Sequence, residues 1–205
     1  IDISGLEIGE HVVKLYAFTN AGTQVEAGSF KVTILAPLAD GEVADLSAIK
    51  EPGEYKLVAD VKGNLTLTSG DYVIDLNGHT WTNGGIALNI QGAKVTLTDT
   101  VGTGYIKATN DCIDISSGSI TVTDATVIAE GDSLDAIFVG GGVVVTNNAT
   151  LYAGKSGINA SQAAVDITVN GGTFGGVYSG ERFARTSAFE FRNNAKVKLL
   201  FEWKD

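Results

Sequence analysis

One four-residue phrase occurs six times along this chain. Leu65-Thr66-Leu67-Thr68 recurs as Val95-Thr96-Leu97-Thr98, Ile120-Thr121-Val122-Thr123, Val143-Val144-Val145-Thr146, Ile167-Thr168-Val169-Asn170 and, in degenerate form, Val197-Lys198-Leu199-Leu200. The starts lie 30, 25, 23, 24 and 30 residues apart, a period typical of stacked repeat architectures. Each copy alternates apolar and polar residues, which turns one face to a core and the other to water. A second strand precedes the phrase at a nearly fixed offset, at 88–90, 112–115 and 136–138, and a third follows a turn, at 124–128, 148–152 and 172–174. Three short strands per unit describe one coil of a parallel β-solenoid. A β-sandwich also has short strands at regular spacing, but it gives no reason for one phrase to return at one phase. The expected fold is therefore all-β, a parallel β-helix of about five to six coils. Val95, Leu97, Ile120, Val122, Val143, Val145, Ile167 and Val169 are expected in buried columns.

The stretch Tyr72-Val-Ile-Asp-Leu-Asn-Gly-His-Thr80, followed by Val95-Thr-Leu-Thr-Asp-Thr100 and Gly104-Tyr-Ile106, resembles the pectin-lyase-like right-handed β-helices of bacterial surface proteins. The resemblance covers residues 43 to 205. Asp45-Leu-Ser-Ala-Ile-Lys-Glu-Pro-Gly-Glu-Tyr55 is similar to the segment that starts such helices. There a short helix plugs the open end and protects a sheet edge. Val43, Leu46 and Ile49 are spaced to cover that opening, and Pro52-Gly53 ends the helix.

Residues 1–36 have a different pattern. His11–Thr19 and Gln24–Leu35 are alternating strands around Asn20-Ala-Gly-Thr23, which makes a hairpin. Gly9-Glu-His-Val-Val-Lys-Leu15 and Ser29-Phe-Lys-Val-Thr33 resemble the last two strands of an immunoglobulin-like module of extracellular proteins. A lone hairpin is marginal in water, so it is expected to pair with further strands, to dock on the β-helix or to join an oligomer. The expected organisation is an immunoglobulin-like fragment at 1–36, a linker and cap at 37–53, and the β-helix at 54–205. Phe189, Phe191, Phe201 and Trp203 are expected to close its C-terminal end.

Composition narrows the function. With 44% hydrophobic and 19% charged residues the chain can bury a core. Its net charge is −10, and its arginines, Arg182, Arg185 and Arg192, sit near the C-terminus. An acidic chain without a basic stripe is a poor partner for nucleic acid or an anionic membrane surface. No apolar run reaches the ~20 residues of a spanning helix. The single Cys112 excludes an intrachain disulfide and a cysteine zinc site. The absence of Met, even at position 1, is read as a processed or excised piece of a longer chain without its signal peptide.

The resemblance brings in pectate lyases and polygalacturonases, which share the fold. The lyases need clustered carboxylates for calcium and a basic residue; the hydrolases need paired aspartates with a His and an Arg-x-Lys. Asn110-Asp111 offers part of one hydrolase phrase, but the histidines are His11 and His79 and there is no Arg-x-Lys. His79 is read as hydrogen-bonded structure in its turn, and no catalytic residue is assigned. Asp99, Asp111, Asp114, Asp124, Glu130, Asp132 and Asp135 face a single Lys107 between positions 99 and 154. Asp132 and Asp135 are the best pair for a cation, calcium being the one implied; the alternative is a solvated acidic wall. Asp99, Asp124 and Asn147 follow the Thr of successive repeats and are expected to form a ladder at one turn, where short polar side chains tolerate left-handed backbone.

Two further features are candidates for binding. Thr66, Thr96, Thr121 and Thr168, with Thr68, Thr98, Thr123 and Thr146, form two outward columns of the kind found on ice-binding faces, and equally the residues expected on a wet β-surface. The insertion 175–186 sets Arg182 and Arg185 beside Tyr178 and Phe183, aromatic faces and forked donors that suit a glycan or an acidic partner. The competing reading makes it a cap. The expected function is a non-catalytic extracellular, cell-surface or virion-surface module, a rigid stalk or adhesive element that binds a glycan or a surface protein. A lyase or hydrolase of acidic polysaccharide is the alternative, and ice binding a second.

Overall fold

The computed structural model describes residues 7–34, 36–160 and 165–174, and the backbone alone in short strands at 177–178, 181–182, 189–191 and 196–200. The chain divides into two units, Ile1–Ala39 and Asp40–Asp205. In the first, β1 (Gly9–Phe18) and β2 (Gln24–Ile34) pair antiparallel from Gly9–Ile34 to Phe18–Gln24, with an irregularity at Leu15/Tyr16. Alternation about this register places His11, Val13, Leu15, Phe30 and Val32 on one face. The other face carries the exposed ion pairs Lys14–Glu26 at 2.9 Å and Lys31–Glu10 at 2.6 Å, which stabilise little in water.

The second unit is a parallel β-solenoid of about five turns. Its chain visits three walls in rotation. The first wall holds Leu65–Leu67, the starts of the long strands Leu88–Thr98 and Ile113–Thr123, then Asp135–Val139, Ser156–Ala160 and Phe189–Phe191. The second holds Asp71–Asp75, the ends of those same long strands, Val143–Asn147, Asp166–Asn170 and Lys196–Leu200. The third is a six-stranded sheet from Val61–Lys62 through Thr80–Asn83, Tyr105–Ala108, Thr126–Ala129 and Thr150–Ala153 to Thr173–Phe174.

Because the strands stack in register, inward residues form columns. Leu88, Ile113, Ile137 and Ile158 make one on the first wall, and Trp81, Ile106, Val127 and Leu151 another on the third; all are fully buried. The expected plug at the open end is a single turn of 3-10 helix, Leu46–Ala48, capped by Asp45, whose carboxylate accepts from the Ser47 N–H at 2.8 Å. Val43, Leu46 and Ile49 are buried beneath the first coil.

Six of the eight expected column residues are buried, and two are not. Val143 is 39% exposed and Val145 part-buried, whereas Val144 and Thr146 point inward. The second-wall pairing sets Ile120 against Val144 and Val122 against Thr146, one residue off the phase suggested by the phrase. Three consecutive valines contain no alternation, so they cannot set their own register. The pairing with the preceding coil sets it, and the turn that follows is in step: Asp124 and Asn148 both adopt left-handed backbone (φ 50° and 51°), as does Asn77 (φ 49°). The ladder therefore contains Asn148 at the left-handed position, not Asn147, and Asp99 lies outside it, buried as an acceptor for the Gly78 and Gly104 N–H groups. Asn148 donates to Asp124 at 2.8 Å, and Asn170 to Asn147 at 2.6 Å.

The threonine columns change as well. Thr66 belongs to the first wall, and the outward second-wall column is Val73, Thr96, Thr121, Val145 and Thr168.

Thr146 sits in the column Ile74, Leu97, Val122, Thr146, Val169, and its buried hydroxyl has no hydrogen-bond partner. An orphaned hydroxyl of this kind costs about 1–3 kcal/mol, and an isosteric apolar group removes the cost. Thr146→Val is expected to raise Tm by about 2–4 °C. A melt with unchanged or lower Tm would contradict the inward placement.

Candidate functional site

Among the described residues, a group of chemically active side chains lies where the third wall turns into the first. Residues 109–112 make that turn, and Asp111 on it accepts the backbone N–H of Asp135 from the next coil at 2.7 Å. Asp135 begins the first-wall strand Asp135–Val139, opposite Ser156. Its buried carboxylate takes the Asn159 amide at 2.7 Å and the Lys155 ammonium at 3.4 Å on one oxygen, Oδ2. Its Oδ1 and the Ser156 hydroxyl are buried without hydrogen-bond partners. Asp114, two strands from Asn159 in the row Asn89, Asp114, Phe138, Asn159, is half-buried.

Electrostatics follow from this crowding. Burial pushes the Asp111 carboxyl above the ordinary aspartate value; the Asp135 N–H opposes this, the Asp135 and Asp114 charges add to it, and Lys155 offsets part. Burial alone raises Asp114. Carboxyls raised in this way hold a proton at a pH where exposed aspartates have lost theirs. Such perturbation is a mark of functional sites and also of structural networks. Cys112, the next residue on the turn, is fully buried and its thiol is pushed far up by desolvation, so it serves as a small apolar core residue.

The two residues paired for a cation have different surroundings. Asp135 is buried and engaged by Asn159 and Lys155, while Asp132 is exposed on the preceding loop. Among the described residues no group of three or more His, Cys, Asp or Glu side chains is arranged to hold a metal ion. Asp111, Lys155 and Asn159 were not paired with Asp135 by sequence reasoning. The signal available was the coil period, since Asp111, Asp135 and Asn159 are each 24 residues apart. Of the insertion residues, Tyr178 and Arg182 lie on the short antiparallel strands Val177–Tyr178 and Glu181–Arg182, where only the backbone is described. Phe183 and Arg185 lie outside the described residues, as do Phe201 and Trp203.

His79 is tied into its turn. Its N–H donates to Leu76 O at 2.8 Å, its carbonyl accepts from Tyr105, and its ring lies 3.5 Å from Asp60. No helix among the described residues is long and apolar enough to cross a membrane. Comparison with protein-family models, with curated proteins and with solved structures finds no match.

A pH dependence follows from Asp114. Its folded pKa is raised, so the folded state holds the proton more tightly than the unfolded chain, and stability falls as pH rises through the interval above the ordinary aspartate value. Asp114→Asn is expected to melt higher than the parent at pH 7.5 and to lose that advantage toward pH 4. An equal difference at both pH values would show that the carboxyl carries no desolvation penalty.

Proposed function

We propose that this chain is a non-catalytic structural and adhesive module, a rigid rod of a protein exposed at a cell or virion surface. The observation that supports this reading best is the use made of the carboxylate cluster. Asp111 holds the Asp135 backbone of the next coil, and Asp135 holds Lys155 and Asn159 of the coil after it. The most reactive-looking side chains thus act as struts that lock three coils together, beside continuous backbone ladders on every wall. A stack joined in this way resists bending and suits a spacer that presents its walls to partners. The Asp75-Leu-Asn-Gly-His79 phrase supports a pectin-lyase-like β-helix, and the N-terminal hairpin supports a tie to immunoglobulin-like strands, an arrangement that fits extracellular display. A glycan or a surface protein is the partner class in this reading.

The same cluster favours one alternative, an enzyme acting on acidic polysaccharide, because Asp111 on the turn and Asp114 on the strand that follows it are both raised carboxyls. Incubation with polygalacturonate and with neutral polysaccharides, with and without calcium, separates the two. The rod reading expects no new reducing ends and no unsaturated products. Either product, abolished in Asp111→Asn, would establish the enzyme instead.

A further inference from the structure

On the third wall, across the 109–112 turn from the carboxylate cluster, lies an open cleft of about 340 Å³. Lys62, Thr82, Asn83, Lys107, Thr109 and Glu130 carry its chemistry. Pairing sets Lys62 against Thr82, and Thr82 against Lys107, so the three form one row across the wall. Parallel strands lie about 4.8 Å apart, which puts the two lysine backbones roughly 10 Å from each other with a hydroxyl between them. Lys107 is paired with Glu130 at 3.0 Å. Lys62 is exposed and has no ion pair among the described residues. The Asn83 amide is fixed by Ile86 O at 2.6 Å, and the Thr109 N–H by Asn83 O at 3.2 Å.

The charges are unevenly placed. With two ammonium groups and one carboxylate the cleft is cationic on a chain whose net charge is −10. The positive end is Lys62, while Glu130 repels a second anion beside Lys107. A ligand that fits has one negative group at one end and neutral hydroxyls at the other. Lysine offers a point charge without the planar fork by which arginine matches a carboxylate. A tetrahedral oxyanion presents an acceptor oxygen to such a charge from any side. Thr82, Thr109, Asn83 and Glu130 supply the donors and acceptors that ring hydroxyls require. The volume is at the low end of the roughly 300–1,000 Å³ range of small-molecule sites, which suits one or two sugar rings.

We propose that this cleft binds a sugar bearing a single sulfate or phosphate ester, with the oxyanion at Lys62 and the ring hydroxyls at Thr82, Thr109 and Glu130. The site is independent of the structural role assigned to the carboxylate cluster, and it needs no catalysis.

Saturation-transfer NMR and calorimetry on the full chain, with N-acetylglucosamine 6-sulfate and glucose 6-phosphate as probes, test the assignment. Glucuronate and unsubstituted N-acetylglucosamine serve as comparisons, and the two esters distinguish a sulfated from a phosphorylated source. At least one ester is expected to bind more tightly than either comparison sugar, and to weaken as salt is raised. Lys62→Gln is expected to weaken it about tenfold, the order of one charge-assisted hydrogen bond, at unchanged Tm. Lys94→Gln, an exposed lysine on the second wall, is expected to leave binding intact. The proposal fails if neither ester binds, if glucuronate binds as well as the better ester, or if Lys62→Gln binds like Lys94→Gln. None of these outcomes bears on the polysaccharide-cleavage assay, so the two readings stand or fall separately.

Discussion

A coil of this chain cannot satisfy its own backbone. Its N–H and C=O groups point along the stack and are met only by the coils on either side, strand against parallel strand. This dependence makes the interior columnar, because a residue that faces inward on one coil lies directly against its counterpart on the next. Apolar side chains of similar shape therefore nest in the column of Leu88, Ile113, Ile137 and Ile158, all fully buried. The same dependence leaves an unpaired end, and Val43, Leu46 and Ile49 cover it at the N-terminal side.

Stacking also makes the corners repeat. Each coil must turn sharply between the second and third walls, and Asn77, Asp124 and Asn148 meet this with left-handed backbone that short polar side chains tolerate. Where the turn widens, at 99–104, aspartates replace backbone partners. Asp75 accepts from Asn77 and Thr100, and Asp99 from Gly78 and Gly104. Gly118 and Gly142 occupy matching corners between the first and second walls with φ of 94° and 106°. A Cβ at Gly142 would run into the carbonyl oxygen of Gly118, so these corners admit no side chain.

Charge is organised by the same geometry. Side chains about one coil apart in sequence become neighbours, whatever separates them along the chain. Asp111 and Asp135 are brought together across 24 residues, and Lys107 and Glu130 across 23. The turn at 109–112 therefore divides a carboxylate cluster, tied down by Lys155 and Asn159, from a cationic cleft centred on Lys62 and Lys107. The first uses its polar groups within the protein and the second leaves some of them to solvent.

The solenoid itself was legible in the sequence, because a repeated phrase with period-two alternation has few ways to bury one face. The hairpin at 9–34, the apolar plug at 43–49 and the left-handed Asp124 were legible too, each resting on local chemistry. Tertiary structure decided the phase of Val143–Thr146, since a run of valines is equally apolar in either register and the pairing with Ser119–Val122 must choose. It also decided which carboxylates meet. Asp132 and Asp135 are close in the chain, yet the strand pairing and hydrogen bonds join Asp135 to Asp111, Lys155 and Asn159. The cleft was hidden for the same reason. Lys62, Thr82 and Lys107 become one row only when three coils are stacked, and proximity across coils is a property of register, not of sequence distance.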